Sequence, residues 1–300
     1  MLIRRRVWGV IRPGGISHQA SSNTVLQSRA FSAALGCALF LALAFLLLPI
    51  AAIFLRVSPL DLVSQLGDRT ARDALLVSLK TNAIAEAVIL LVGTPAAYLL
   101  ATRRFPGRAA VVTLIELPLV LPPAVAGIAL LAAFGRLGLL GGGLDTLGID
   151  LAYTQLAVVV AITFVASPFY LRQAIASFGA VDGTLIDAAR TLGASRARVF
   201  ARVALPLAAP GLAAGAALAF ARALGEFGAT IMFAGSLQGR TQTLPLAIYA
   251  RFSTDFHLAL SLGALLVVVS AALLLAIKAV PAWTRFGSIW FFRAAPSPSS

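Results

Sequence analysis

The sequence predicts an all-α integral membrane protein with about six transmembrane helices, and three observations predict it. Hydrophobic residues make up 60% of the 300 residues and charged residues 12%, whereas soluble domains run at roughly 45–50% and about 25%. Six stretches are long and apolar enough to span a bilayer as helices, which takes about 20 residues each. The third observation is charge asymmetry: 24 Lys+Arg stand against 11 Asp+Glu, and the basic residues crowd one end of the predicted spans.

The first span covers residues 30–55, charge-free between Arg29 and Arg56. The second, 75–100, carries Lys80 and Glu86. The third, 109–134, holds Glu116 and the pair Pro122-Pro123. A fourth runs over 156–171, extending as far as 178, and a fifth over 207–233 with Arg222 and Glu226. The sixth covers 258–280. Residues 1–29 and 282–300 are expected as cytoplasmic tails, the first basic, around a membrane domain of residues 30–281. The apolar run after Arg4-Arg5-Arg6 is too long for a cleaved leader and lacks a small-x-small site.

With both termini inside, the cytoplasmic segments hold sixteen Lys+Arg and the external ones six. The positive-inside rule reads basic residues flanking the spans, so this is the predicted orientation. Other chemistries fall to counts. Cys37 is the one cysteine, and His18 and His257 stand apart without a ligand cluster, so no metal site is expected. Lys80 and Lys278 follow Leu79 and Ile277, so no Gly-Lys-Ser/Thr phosphate loop exists and any ATP must be bound by another subunit.

The cytoplasmic loop 182–206 carries the most information. Thr184 with Asp187 three residues on fits a capping box, with Thr184 as N-cap. Gly193 suits the left-handed position after a helix end. Ser195 caps a second short helix, which Pro206 should stop. Ala188, Ala189 and Gly193 form a small-residue patch among Arg190, Arg196, Arg198 and Arg202. From these residues alone, docking to a partner and contact with anionic headgroups both stand open.

The order Asp187-Ala188-Ala189, Gly193, Val203-Ala204-Leu205-Pro206 resembles the Glu-Ala-Ala…Gly…Ile-x-Leu-Pro signature of binding-protein-dependent ABC importer permeases, with Asp187 and Val203 as conservative departures. The likeness extends over about residues 70–280. Residues 117–123, 225–230 and 239–249 resemble the molybdate subgroup, with Ser236 a departure where asparagine is expected. The resemblance implies the ABC importer permease fold in a bacterial or archaeal inner membrane. It implies an oxyanion cargo: molybdate or tungstate, with sulfate or another oxyanion the alternative. The partners implied are a second copy of the chain, two ATPase subunits that bind ATP and magnesium, and a periplasmic or lipid-anchored oxyanion-binding protein. The chain would hold no cofactor, catalyse no reaction and bind no nucleic acid. Thr184, Asp187, Ala188, Ala189, Arg190, Gly193, Ala194 and Arg196 would form the ATPase-coupling segment.

Ionisable groups within spans are costly and need a reason. Arg222 and Glu226, four apart, share a helix face. They read either as a neutralising pair or, with Pro122, Pro123 and Thr230, as elements of the translocation pathway. Two prolines break backbone bonds that need protein or water at membrane depth. Outside the membrane, Gln238, Arg240, Thr241, Gln242 and Thr243 read either as a solvated loop or as a face toward the binding protein. An ion-coupled secondary transporter would also carry buried charges and broken helices. No internal repeat supports that rival, and loop 182–206 has no role in it.

Overall fold

The computed structural model describes residues 19–58, 60, 64, 67–148 and 150–292, with side chains described within 31–276. The chain divides into two units, Met1–Leu55 and Arg56–Ser300. The first holds α1 (Gln19–Arg56), whose stretch Phe31–Arg56 is long and apolar enough to cross a membrane. The region expected as a basic tail is thus helical from Gln19, and its first eighteen residues lie outside the described ones.

In the second unit, α2 (Arg69–Thr102) and α6 (Gln155–Gly179) form the central pair. They run parallel. Lys80 Nζ donates to Gln155 Oε1 at 2.9 Å near one end, and the Thr94 and Tyr170 hydroxyls meet at 2.6 Å further along. Lipid tails are as apolar as leucine, so helices here associate by close packing, which small residues permit. Ala85, Ala97, Ala161, Ala166 and Ala174 line the buried seam. Gly93 lets α2 approach the Tyr170 ring, which a Cβ there would meet at 3.0 Å. On the other side of α6 lies α9 (Leu205–Leu224). Its Gly211 and Gly215 face Ser177 and Gln173, which accounts for the small-xxx-small spacing.

The expected third span is two helices, α3 (Arg108–Val120) and α4 (Pro123–Phe134), bent by 116° at the break. Pro122 and Pro123 cannot donate to the preceding turn, and Pro123 instead starts α4, where its missing N–H costs nothing. The described residues therefore hold five helices long and apolar enough to cross a membrane, or six with the bent pair as one span. A short helix, α5 (Gly141–Thr146), follows α4.

The fifth span is also interrupted. Its helix α9 ends at Leu224, and α10 (Gly228–Ala234) begins after the break Gly225–Phe227. Beyond it, α11 (Leu244–Phe252) and α12 (Phe256–Phe292) pack with the start of α2 through Ala71, Ala74, Leu244, Ala247 and Leu262.

The two half-helices α4 and α10 press together through glycine. A Cβ on Gly127 would lie 2.7 Å from both the Ala229 carbonyl oxygen and Met232 Cβ. Gly127→Ala should therefore cost about 1–3 kcal/mol of overpacking. A lowered unfolding midpoint in detergent, compared with a control at the open Gly142, checks this.

Candidate functional site

At the arginine-rich end, α6 is followed by α7 (Gly183–Thr191) and α8 (Arg196–Val199). Asp182 caps α7, not Thr184: its carboxylate accepts the Thr184 amide at 2.9 Å, and the helix begins at Gly183. Both residues are good caps, and Asp182 precedes the glycine, so its carboxylate captures the free amide of Thr184. Hydrogen bonding from Thr184, its backbone amide first and its side chain second, holds the Asp182 carboxyl below its ordinary range.

Gly193 turns the chain at φ +82°. Its amide donates to Arg190 O at 2.9 Å, while the Ala194 amide donates to Ala189 O at 3.0 Å. Nothing lies within 4 Å of a Cβ built on Gly193, so backbone conformation and not crowding requires glycine there. Ser195 Oγ accepts the Arg198 amide at 3.4 Å, as its cap position predicts. Thr184, Asp187, Ala188, Arg190, Gly193 and Arg196 are exposed, Ala189 and Ala194 partly so. Leu192 is 88% exposed.

Pro206 does not stop the segment that Ser195 starts. Helix α8 passes through a π-helical turn, Phe200–Ala204, straight into α9, and the Leu205 amide donates to Phe200 O. A proline clashes with the carbonyl four residues back, and the wider turn makes room for it. This turn is anchored by an aromatic trio absent from the sequence reading. Tyr98 at the end of α2 meets Phe178 of α6 at 5.3 Å between centroids and Phe200 at 4.8 Å. Val199 and Ala204 are buried alongside. The exposed loop is thereby bolted to both central helices.

Deeper in the spans, the Arg222 guanidinium lies 2.6 Å from Glu226 Oε2. Glu226 sits in the break, 2% exposed, and its other oxygen accepts the Ala229 amide at 2.8 Å, capping α10. The pair is therefore formed across the end of α9, not along one continuous helix. Pro123, first residue of α4, lies against Gly228, first residue of α10: a Cβ on Gly228 would come 2.6 Å from Pro123 Cβ. The positive ends of two helix dipoles thus meet beside Arg222, with the Glu226 carboxylate at one of them. Thr230 is buried in α10, while Pro122 and Pro123 are exposed.

The other intramembrane acids behave differently. Glu116 lies 3.7 Å from Arg172. Both Glu86 oxygens are buried without a hydrogen-bond partner among the described residues. Lys80 is engaged by Gln155 instead.

At the opposite end, residues 235–243 lie along α2. Gln238 Nε2 donates to Thr70 Oγ1 at 3.2 Å and the Leu244 amide to Ser78 Oγ at 2.8 Å. Gln238 and Arg240 are exposed, whereas Thr241, Gln242 and Thr243 are buried. Thr241 Oγ1 accepts the Leu237 amide at 2.9 Å and so holds the loop shut from within. Spacing cannot distinguish such inward threonines from a solvated run.

A family model described as binding-protein-dependent transport system inner membrane component matches residues 89–284. The Mycobacterium tuberculosis molybdenum transport system permease protein ModB is 45% identical over 235 residues, 78% of this chain and 89% of that one. Its Escherichia coli namesake is 44% identical over 182 residues, 60% and 80% of the two chains. The Salmonella typhimurium sulfate transport system permease protein CysT is 34% identical over 272 residues, covering 89% and 96%. Among solved structures, a bacterial ABC transporter involved in alginate import matches with TM-score 0.68 at 15% identity, covering 87% of this chain and 98% of that one. A chain of the MetNI methionine ABC transporter matches with TM-score 0.52 at 20% identity, covering 71% and 93%.

Two predictions follow from the geometry. Arg222→Ala strands a buried carboxylate and should cost about 3–5 kcal/mol. Arg222→Ala/Glu226→Gln, which keeps an acceptor for Ala229, should recover much of that in thermal unfolding. The Asp182 carboxyl is lowered in the folded state, so its contribution to α7 is complete above the ordinary carboxylate range and lost as pH falls through the lowered value. Protection of the α7 amides, relative to their intrinsic exchange rates, should fall across that acid range in the wild type and stay flat in Asp182→Asn.

Proposed function

The chain belongs to the binding-protein-dependent inner-membrane transport component family, and on that premise we propose that it is the permease of an ATP-driven molybdate or tungstate importer. It is an all-helical, multi-pass membrane protein of the ABC importer permease fold. Two copies would enclose one pathway, with two ATPase subunits on the arginine-rich side and a periplasmic or lipid-anchored binding protein on the other. This places both termini on the cytoplasmic side of a bacterial or archaeal inner membrane. The chain itself performs no chemistry in this reading: ATP and magnesium belong to the ATPase subunits.

The observation that carries the coupling role is the exposed helix–glycine–helix of residues 182–199, rigid at both caps and tied to α2 and α6 by Tyr98, Phe178 and Phe200. A partner seated on Asp187, Ala188, Ala189 and Gly193 would press on a small-residue surface, with Thr184, Arg190, Ala194 and Arg196 around it. Displacement of that surface would reach the central helices without passing through flexible chain. Alternating access would then switch the central path. Along that path, the Arg222 side chain is 27% exposed, and its charge matches an oxyanion. Glu226 holds it in place and caps α10, while Pro122, Pro123 and Thr230 shape the adjoining breaks. Gln238 and Arg240 supply the exposed groups toward the binding protein. Thr241, Gln242 and Thr243 support that loop from beneath.

The substrate assignment is supported by the 45% identity to a permease named for molybdenum transport. Sulfate is the second reading, favoured by the sulfate permease relative that covers 89% of the chain.

Proteoliposomes holding this chain with its ATPase and binding protein separate these readings. Molybdate and tungstate should stimulate ATP hydrolysis and sulfate should not. Gly193→Asp should abolish the stimulation, because it forces a side chain into a left-handed turn at a cost of about 1–2 kcal/mol and places a charge on the docking surface. Stimulation by sulfate alone transfers the cargo to the second reading. An ATPase that responds identically to wild type and Gly193→Asp removes the coupling role.

A further inference from the structure

A cavity of about 410 Å³ opens where α4 ends, at the end of the spans remote from the arginine-rich loop. Its level follows from the helices. From Thr102, beside Arg103 and Arg104, about 20 helical residues cross the hydrocarbon, which brings α2 to the neighbourhood of Lys80. The Lys80–Gln155 bond sets the start of α6 at that same boundary. Tyr153, two residues before Gln155, lines the cavity and therefore sits at the interface of lipid and water.

The walls are apolar: Ile128, Leu131, Ala132 and Leu137, with Arg136 as the charged group. Arg136 and Leu137 are exposed, and among the described residues no ion pair is formed by Arg136. The volume lies within the roughly 300–1,000 Å³ of small-molecule sites.

This region is built at a conformational cost. A Cβ on Gly135 would strike the Leu131 carbonyl oxygen, one on Gly138 would lie 2.6 Å from Ala132 O, and one on Gly141 would strike Gly135 O. The chain doubles back so that the Leu139 and Leu140 amides reach Ala132 and Ala133 carbonyls at 2.9 and 2.8 Å. Those two carbonyls near the end of α4 are thereby satisfied, and Arg136 is the charged group that lines the cavity. Opposite it, Tyr153 adopts φ +60°, a left-handed conformation unusual outside glycine. Its ring lies over Gly235, where a Cβ would approach Tyr153 Cδ1 to 3.0 Å. Backbone outliers of this kind persist where surrounding structure over-determines them and mark sites of function.

We infer that this cavity binds one anionic phospholipid, an acyl chain lying in the groove and the phosphate on Arg136. Charge complementarity selects the occupant: an exposed cation without an ion-pair partner among the described residues lines an otherwise apolar groove near the water boundary. Arginine offers a planar fork of donors that matches phosphate oxygens. The inference requires that the chain crosses a bilayer but is independent of its cargo and of its ATPase.

The test uses the full chain in nanodiscs of phosphatidylcholine with or without phosphatidylglycerol, with retained lipid read by native mass spectrometry. The wild type should retain one phosphatidylglycerol per chain in preference to phosphatidylcholine. Arg136→Ala should lose that preference by about five-fold, the factor for one basic group near an anionic surface, while Arg136→Lys keeps most of it. Ala132→Trp should expel both lipids by filling the groove. Arg69→Ala, another exposed arginine of this unit, should match the wild type. Equal preference in wild type and Arg136→Ala overturns the site. So does unchanged retention in Ala132→Trp, or capture of the binding protein by a cross-linker at Leu137 with no preference among lipids. Thermal unfolding of each variant separates loss of the site from loss of the fold.

Discussion

A helix that breaks inside a membrane leaves amides and carbonyls that hydrocarbon cannot satisfy, and in this chain one carboxylate resolves the central case. Glu226 gives one oxygen to the Ala229 amide and the other to Arg222. Without the first bond α10 has an uncapped start at membrane depth, and without the second a buried charge stands alone. The break at Gly225–Phe227, the seating of α10 against α4 and the position of Arg222 all depend on that double engagement. The α3–α4 break is resolved by another route. There, proline removes the donor itself, so nothing is left unsatisfied at the first position of α4.

Around these breaks the remaining contacts are made by small residues. Gly93, Gly127, Gly211, Gly215 and Gly228 each stand where a Cβ would meet a neighbouring side chain or carbonyl. In water such a seam would be weak, since little apolar area is buried per residue. In lipid there is no apolar transfer to gain, and the separation of the helices decides the strength of packing. The sequence is rich in alanine and glycine for this reason as much as for flexibility.

Much of the fold is legible in the sequence. The span positions follow from run length, and Gly193 and Ser195 announce the helix–turn–helix of the loop because caps and left-handed turns are local chemistry. What escaped depended on contacts between distant residues or on a choice between two local geometries that the sequence allows equally. Tyr98, Phe178 and Phe200 belong to three separate stretches, and nothing in any one of them marks an aromatic trio. Thr241, Gln242 and Thr243 read as a polar external loop, yet the Leu244 bond to Ser78 and the Thr241 bond to Leu237 fold them inward. Asp182 and Thr184 are both acceptable caps, and competition between them is settled by which oxygen reaches a free amide. Pro206 promised an end to the helix, but a single π-helical turn absorbed it.

That π-helical turn sits between two regions with opposite demands. The loop before it is exposed and holds a fixed surface through its two caps, whereas α9 beyond it is packed on α6 and ends at the Glu226 latch. A plain α-helix across Phe200–Ala204 would clash with Pro206, and a flexible linker would dissipate any push from the loop. The π-helical turn keeps the backbone continuous while the Phe200 ring stays clamped between Tyr98 and Phe178. Motion of the loop therefore has two rigid outlets, one through the aromatic trio into α2 and α6, the other along α9 toward Arg222. In the proposed importer, this arrangement lets one docking surface move the central helices and the pathway arginine together, which alternating access requires of a subunit that does not itself bind ATP.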